Sequence, residues 1–364
     1  MHLDLDRHGG DLRFRQEWLD LGFHSRDLAG PDFTALLSGF HTPTDRPAPL
    51  TRIVRIVQTV VLPGSVASHA TAAVLMGVPL PWRYEGGVGL LRAGVGAPRR
   101  IGTAVPVPSL AAGASLRAGA RLPVVHVRTS DGKAPRSLTG VRTHRMGERP
   151  TLTIGGIEVS APAELLCELA ADLPWGDLVA AIDAIIGPLG ARGGGGLPDI
   201  AGYVERRGSF RGAARLRRAL GHAREMVRSP GESIMRLLVI GAGFPPPDAN
   251  LPVIDPQTRQ RRYLDLAWEA AMTALEYDGD GHRSTKQQWR RDEARRDELA
   301  ALGWVLARST GEDLAHPLRI LLRLRRTLGE RGLAVPSEHR IRQFVASLPK
   351  ADLSLATAPR QPSA

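Results

Sequence analysis

Apolar and polar positions alternate most clearly in the last third of the chain. Tyr263-Leu264-Asp265-Leu266-Ala267-Trp268 and Thr273-Ala274-Leu275-Glu276-Tyr277-Asp278 read as two short strands joined by a turn. Strand side chains repeat every two residues. Ala274, Glu276 and Asp278 therefore share one face and Leu275 and Tyr277 the other. Residues 287–302 read as a helix with a charged face, stopped by Gly303 as its C-cap. Residues 304–308 read as a third strand, and Thr310 caps a last helix over about 312–328. Upstream, residues 211–228 read as one amphipathic helix. Leu216, Leu220, Ala223 and Val227 line one face, and Arg211, Arg215, Arg218 and His222 another. Ser229-Pro230-Gly231-Glu232 is a capping box that opens the next helix.

The first half patterns differently. Phe14, Trp18, Leu19 and Leu21 form an apolar stripe, and a turn at Gly22 leads to a second helix capped by Ser25. Two short helices around a glycine turn suit a helix-turn-helix. Residues 66–79 read as a compact helix capped by Ser68 and stopped by Gly77 and Pro79. Residues 124–128 and 140–145 read as strands, and 154–166 as strand, turn and helix start. His69, His126 and His144 lack the compact spacing of a ligand set and read as structural histidines. A further helix over 177–186 precedes a glycine run, Gly193 to Gly196, expected to be a flexible joint. No phosphate-binding G-x-x-x-x-G-K-[ST] motif occurs.

Composition narrows the class. With 364 residues, 43% apolar and 23% charged, the chain is long enough for two or three domains. No run approaches the roughly 18 apolar residues of a membrane span. The polar N-terminus is no signal peptide, so a cytoplasmic location and no membrane partner are expected. A single cysteine, Cys167, excludes an intramolecular disulfide or a thiolate zinc cage. The net charge of +11 suits a polyanionic partner. Its densest excess is eight basic residues against two acidic over 200–228, just before a nearly balanced stretch. Lysine occurs only at 133, 286 and 350, which fits an arginine-rich composition set by a GC-rich genome and lowers the weight of charge alone.

Acids among apolar residues of a hairpin carry the candidate chemistry. Burying carboxylates is unfavourable without compensation, and a hard divalent cation compensates converging carboxylates. The plainer alternative is a hairpin whose acids face solvent. The order helix–strand–strand–helix–strand–helix, with Leu264-Asp265-Leu266-Ala267-Trp268-Glu269 and Ala274-Leu275-Glu276-Tyr277-Asp278-Gly279-Asp280-Gly281-His282 in place, resembles the PD-(D/E)XK nuclease superfamily. More narrowly, it is similar to bacterial domains of the very-short-patch-repair endonuclease type, over about residues 226–330. The superfamily's usual lysine, two residues after the second acid, is Asp278 here. Two stretches, 68–79 and 159–170, and the chain position of the first helices resemble AbiEi-type antitoxins.

The resemblance implies an α+β multidomain protein. A winged-helix-like unit (1–60), an AbiEi-like α/β domain (61–175) and an arginine-rich helical connector (176–225) would precede a restriction-endonuclease-like core. That core, 226–330, would have a central mixed sheet flanked by helices, followed by a partly disordered tail over 331–364. It implies magnesium or manganese held by Asp265, Glu276 and Asp278, with Glu232 and His282 as further catalytic residues. Arg290 and Arg291 would neutralise phosphate, and Arg211, Arg215 and Arg218 would track a nucleic-acid backbone, most readily DNA. The N-terminal half would dock DNA or a protein partner. The alternative is a DNA-binding, antitoxin-like transcriptional regulator with an inactive nuclease-like domain.

Overall fold

A computed structural model describes residues 8–81, 89–92, 121–129, 138–187, 195–256, 259–278 and 286–348. The side chains of 89–92, 121–124, 286–289 and 291 lie outside that description. The architecture is mixed α/β, with three sheets among the described residues. Among the described residues no helix is long and apolar enough to cross a membrane. The chain divides into two units, Met1–Leu169 and Ala170–Ala364.

In the first unit β1 (Arg13–Phe14), α1 (Arg15–Asp20) and α2 (Ser25–Leu28) precede a hairpin of β2 (Phe33–Leu37) and β3 (Phe40–Pro43). The three strands form one sheet in the order β1-β3-β2. Trp18 of α1 is fully buried in a core cluster with Phe23, Leu28 and Phe33, the Phe23 and Phe33 rings edge-on to it at 5.4 and 4.9 Å between centroids, the arrangement favoured by the charge distribution of aromatic rings. The predicted stripe is corrected at its ends. Phe14 and Leu21 are exposed, because α1 begins only at Arg15 and ends at Asp20. The cap of α2 is His24, whose N–H donates to Asp27 (2.7 Å), and Ser25 is already helical.

The same unit continues with α3 (Leu50–Ile56), a π-type turn over Val57–Val61, β4 (Val66–Ala67) and α4 (His69–Met76). Then come β5 (Gly89–Arg92), β6 (Arg121–Thr129), β7 (Val141–Arg145), β8 (Thr151–Ile154), β9 (Ile157–Ser160) and α5 (Pro162–Leu169). Their sheet runs β5-β6-β4-β9-β8, with β7 parallel to β6. Gln58 joins the helical stretch to this sheet like a strand residue: its amide donates to the Glu158 carbonyl (2.6 Å) and accepts the Glu158 N–H (3.2 Å). The predicted segments 1–60 and 61–175 thus share one unit over most of their length.

The second unit opens with α6 (Trp175–Ile186), buried on nearly every side. Next come α7 (Leu197–Arg207), α8 (Ala213–Leu220) and α9 (Pro230–Ala242). α8 stops at Leu220, short of the expected 228. The chain beyond it is drawn onto buried Asp183 of α6, which accepts the Arg224 N–H (2.7 Å), the Ser233 hydroxyl (2.7 Å) and the Arg236 guanidinium (2.8 Å). Arg236 in turn donates to the His222 carbonyl (2.7 Å). The predicted connector therefore packs as part of the core it was expected to precede.

β10 (Asp248–Ile254), β11 (Arg261–Trp268) and β12 (Thr273–Asp278) follow, then α10 (Lys286–Ala301) and β13 (Val305–Thr310). The sheet order is β10-β11-β12-β13, antiparallel except for the parallel last pair. Leu264, Ala267, Ala274, Leu299 and Trp304 form a core cluster between sheet and helix. The single helix expected over 312–328 is two, α11 (Gly311–Ala315) and α12 (Leu318–Glu330), separated at Pro317, whose ring cannot continue a helix. Within 331–364, expected to be a partly disordered tail, Glu338–Ser347 form a helix, α13. Ser337 caps it (3.2 Å to the Arg340 N–H), Ile341 is buried, and Phe344 lies where a side chain on Gly241 of α9 would stand.

Candidate acidic site

The β11–β12 ladder pairs Trp268 with Thr273, Ala267 with Ala274 and Leu266 with Leu275, and there it ends. The next residues outward are Asp265 and Glu276. At this point the Tyr277 N–H donates to the Asp265 carboxylate (2.9 Å). A side chain thus satisfies a backbone donor that the ladder has released.

One further strand and two helices converge on the opening. On β10, Asn250 falls opposite Asp265 between the pairs Ala249–Leu266 and Leu251–Leu264. Its φ of +50° is left-handed, a conformation asparagine tolerates better than most residues. The buried Asn250 amide donates to the Glu232 carboxylate (3.1 Å) and to the Met226 carbonyl. Its own oxygen is buried without a hydrogen-bond partner among the described residues. Glu232 sits in the first turn of α9, where its N–H donates to the Ser229 hydroxyl (3.3 Å). Its carboxylate accepts the Arg228 N–H (3.0 Å). Helix α9 comes this close because residue 231 is glycine: a Cβ there would stand 2.1 Å from the Tyr277 ring.

From α10, Arg295 holds Glu276 in a bidentate pair (2.9 and 2.5 Å) and also donates to the Tyr263 carbonyl (2.6 Å). Burial raises the Asp265 carboxyl to about 7, and the negative charges of Glu232 and Glu276 add to the rise. The Tyr277 N–H and Arg295 act in the opposite direction without overcoming it. Among the described residues Asp265 forms no ion pair.

No family model matches the chain, and no solved structure matches it. Two uncharacterized proteins, from two strains of Mycobacterium tuberculosis, are similar to it. Each is 27% identical over 205 residues, which is 56% of this chain and 73% of the relative.

The other expected site residues fall in several places. Asp278, half-buried at the end of β12, lies 3.8 Å from the Arg308 guanidinium. Asp265, Glu276 and Asp278 do not form a group whose ligand atoms all lie within 4.8 Å; among the described residues only His69, His126 and His144 do. His282 lies outside the described residues, as does the side chain of Arg291. Arg290 is exposed on α10, and Arg211 is exposed just before α8. Arg215 turns inward to the Ala170 and Leu173 carbonyls (3.2 and 3.0 Å). Arg218 lies over the Trp175 ring at 4.4 Å.

Sequence reading missed Asn250 and Arg295. An asparagine inside a strand pattern was the available signal for the first. Arg295 stood among Arg290, Arg291, Arg296 and neighbouring acids, where linear spacing does not single out the one that turns inward.

Proposed function

We propose that the second unit is a divalent-metal-dependent nuclease acting on DNA, with Glu232, Asp265 and Glu276 as its acidic centre. The observation that carries this reading is Asp265: a largely buried carboxyl between two other acids, with no ion-pair partner among the described residues. Such clustering disfavours ionisation, and a hard cation would relieve it. The donors are all carboxylate oxygens, the type magnesium or manganese takes, and a cation would have to draw them together, since their ligand atoms do not all lie within 4.8 Å of one another. A cation bound there would polarise a phosphate oxygen and lower the pKa of a water. Arg295 would leave Glu276 for a phosphate oxygen, since a guanidinium fork suits either partner bidentately. Asn250 would hold Glu232 in place. Asp278, paired towards Arg308, takes a peripheral role in this reading.

The test is cleavage of labelled DNA and RNA with magnesium or manganese, beside a binding assay in calcium. Wild type should cut, and Asp265→Asn should bind without cutting. A wild type inactive across a broad substrate panel would overturn the proposal.

The bidentate closure of Glu276 by Arg295 favours one second reading, a DNA-binding regulator whose nuclease-like unit only binds. In that case Arg295 stays on Glu276 as a structural pair, and Asp265→Asn changes binding little and cleavage not at all.

A further inference from the structure

His69, His126 and His144 are separated by 57 and 18 positions, yet one nitrogen from each lies within 4.8 Å of the others. The fold brings them together in three steps. His126 sits in β6, where its N–H donates to Thr71 of α4 (2.8 Å) and its carbonyl accepts the Ser68 N–H (3.0 Å). This pins the start of α4, and His69 with it, beside β6. His144 lies on β7 two places along from the residue opposite His126, so both rings emerge on the same face.

The rings lie close but satisfy one another poorly. His126 Nδ1 is 3.1 Å from His144 Nε2, and the His69 and His144 rings stack at 3.6 Å. His126 Nε2 is buried with no hydrogen-bond partner among the described residues. The His69 backbone has a φ of +48°, a strained conformation of a kind that gathers at functional sites. Glu168 accepts the His69 N–H (2.8 Å), and its carboxylate lies 3.8 Å from His69 Nδ1, which is also 3.1 Å from the Ser68 hydroxyl. Ser160 donates to the other Glu168 oxygen (2.7 Å).

We propose that His69, His126 and His144 form a binding site for a late first-row transition-metal dication of the zinc class. Imidazole donors suit zinc, cobalt, nickel or copper and not magnesium or calcium. Two ligands at about 2.0–2.1 Å from a tetrahedral zinc stand about 3.3 Å apart, close to the 3.1 Å separation of His126 and His144. Ser68 and Glu168, beside His69 Nδ1, are placed to fix that ring with Nε2 free as the ligand, the orienting role outer groups play at histidine metal sites. Three protein nitrogens leave a position for solvent. The local charge is mixed: Arg142 bears on all three rings, while Glu168 and Glu164 lie behind with Arg128 and Arg149.

The test uses the full chain, stripped with a chelator and titrated with zinc by calorimetry and with cobalt by visible absorption. One equivalent should bind, raise the melting temperature and give the intense cobalt spectrum of a tetrahedral nitrogen site. His144→Gln, the change at a half-buried ring, should weaken zinc at least about a hundredfold while leaving the metal-free melting temperature near wild type; His69→Gln provides a second variant. Asp265→Asn should bind zinc as wild type does. No stoichiometric zinc or cobalt in wild type, unaltered binding in both histidine variants, or loss of zinc in Asp265→Asn would each overturn the proposal. None of these outcomes bears on whether the acidic centre cuts DNA.

Discussion

The acidic centre of the second unit and the histidine cluster of the first solve one problem in opposite directions. Each buries like groups together, and burial drives each towards its neutral form. The Asp265 carboxyl rises to about 7, whereas the imidazoles of His144, His126 and His69 fall to about 4, 3 and 2. Burial thus favours the uncharged form of both, the protonated acid on one side and the unprotonated imidazole on the other. Asp183 and Arg236 show the third solution, a buried pair of opposite charge at 2.8 Å. The paired charge of Asp183 and Arg236 is a structural solution, whereas Asp265, shifted by burial and by two neighbouring acids and without an ion pair among the described residues, is where a bound cation would act.

The sharpest separation of the two clusters is a crossed experiment. Asp265→Asn should lower magnesium-dependent cleavage by about three orders of magnitude or more, because it removes the charge that holds the cation and the water it activates. His144→Gln should leave the same rate within about twofold. Cleavage assays on both variants check this, and equal reductions would show that the clusters act as one site.

Arg236→Met tests the paired solution. It leaves Asp183 buried beside the Arg224 N–H and the Ser233 hydroxyl but without its cation. Removing one partner of such a pair is expected to destabilise by about 3–5 kcal/mol. Urea denaturation measures it, and a loss under about 1 kcal/mol would mean that Asp183 is carried by its neutral donors alone.

Asp265 itself should make stability depend on pH. Its folded pKa of about 7 lies above the unfolded value of 3.8, so the folded state keeps a proton that the unfolded state has released. The resulting stabilisation is complete below 3.8 and is lost as pH rises through 7. At about 1.36 kcal/mol per pKa unit, and discounted for partial exposure, the loss is on the order of 2–4 kcal/mol. Asp265→Asn cannot titrate, so without metal it should overtake wild type in stability between about pH 5 and pH 8. Denaturation curves at both pH values in chelator decide it; parallel curves would exclude a raised Asp265.

The physical basis of these contrasts also explains what was legible in the sequence. Strand alternation placed Asp265 and Glu276 on neighbouring strands, and the helix order of the second unit followed from caps and glycine stops such as Ser229 and Gly303. Those signals are local. Asn250, Arg295 and the histidine trio depend on which distant segments meet, and a register shift of one residue would turn any of the strand side chains away. The early end of α8 was hidden for the same reason: Asp183, far upstream of Leu220 on α6, redirects the chain. Pro317 was legible and stood inside the range read as one helix.

The smallest effect concerns the basic residues around α8, which divide by the same rule of paired against unpaired. Arg215 is committed to two carbonyls and Arg218 to the Trp175 face, so neither is fully available to a phosphate. Arg211 and Arg290 are exposed. Removing one arginine–phosphate pair should reduce the slope of log affinity against log salt by about one. Arg211→Gln and Arg290→Gln should therefore flatten the salt dependence of DNA binding by about one each. Arg215→Gln should leave the slope unchanged and instead lower the melting temperature, since two carbonyls are deprived of their donor. Fluorescence anisotropy across a salt series, beside thermal melts, reads both quantities. A flattened slope for Arg215→Gln with an unchanged melt would place that guanidinium on the nucleic acid and remove the distinction between the two sets.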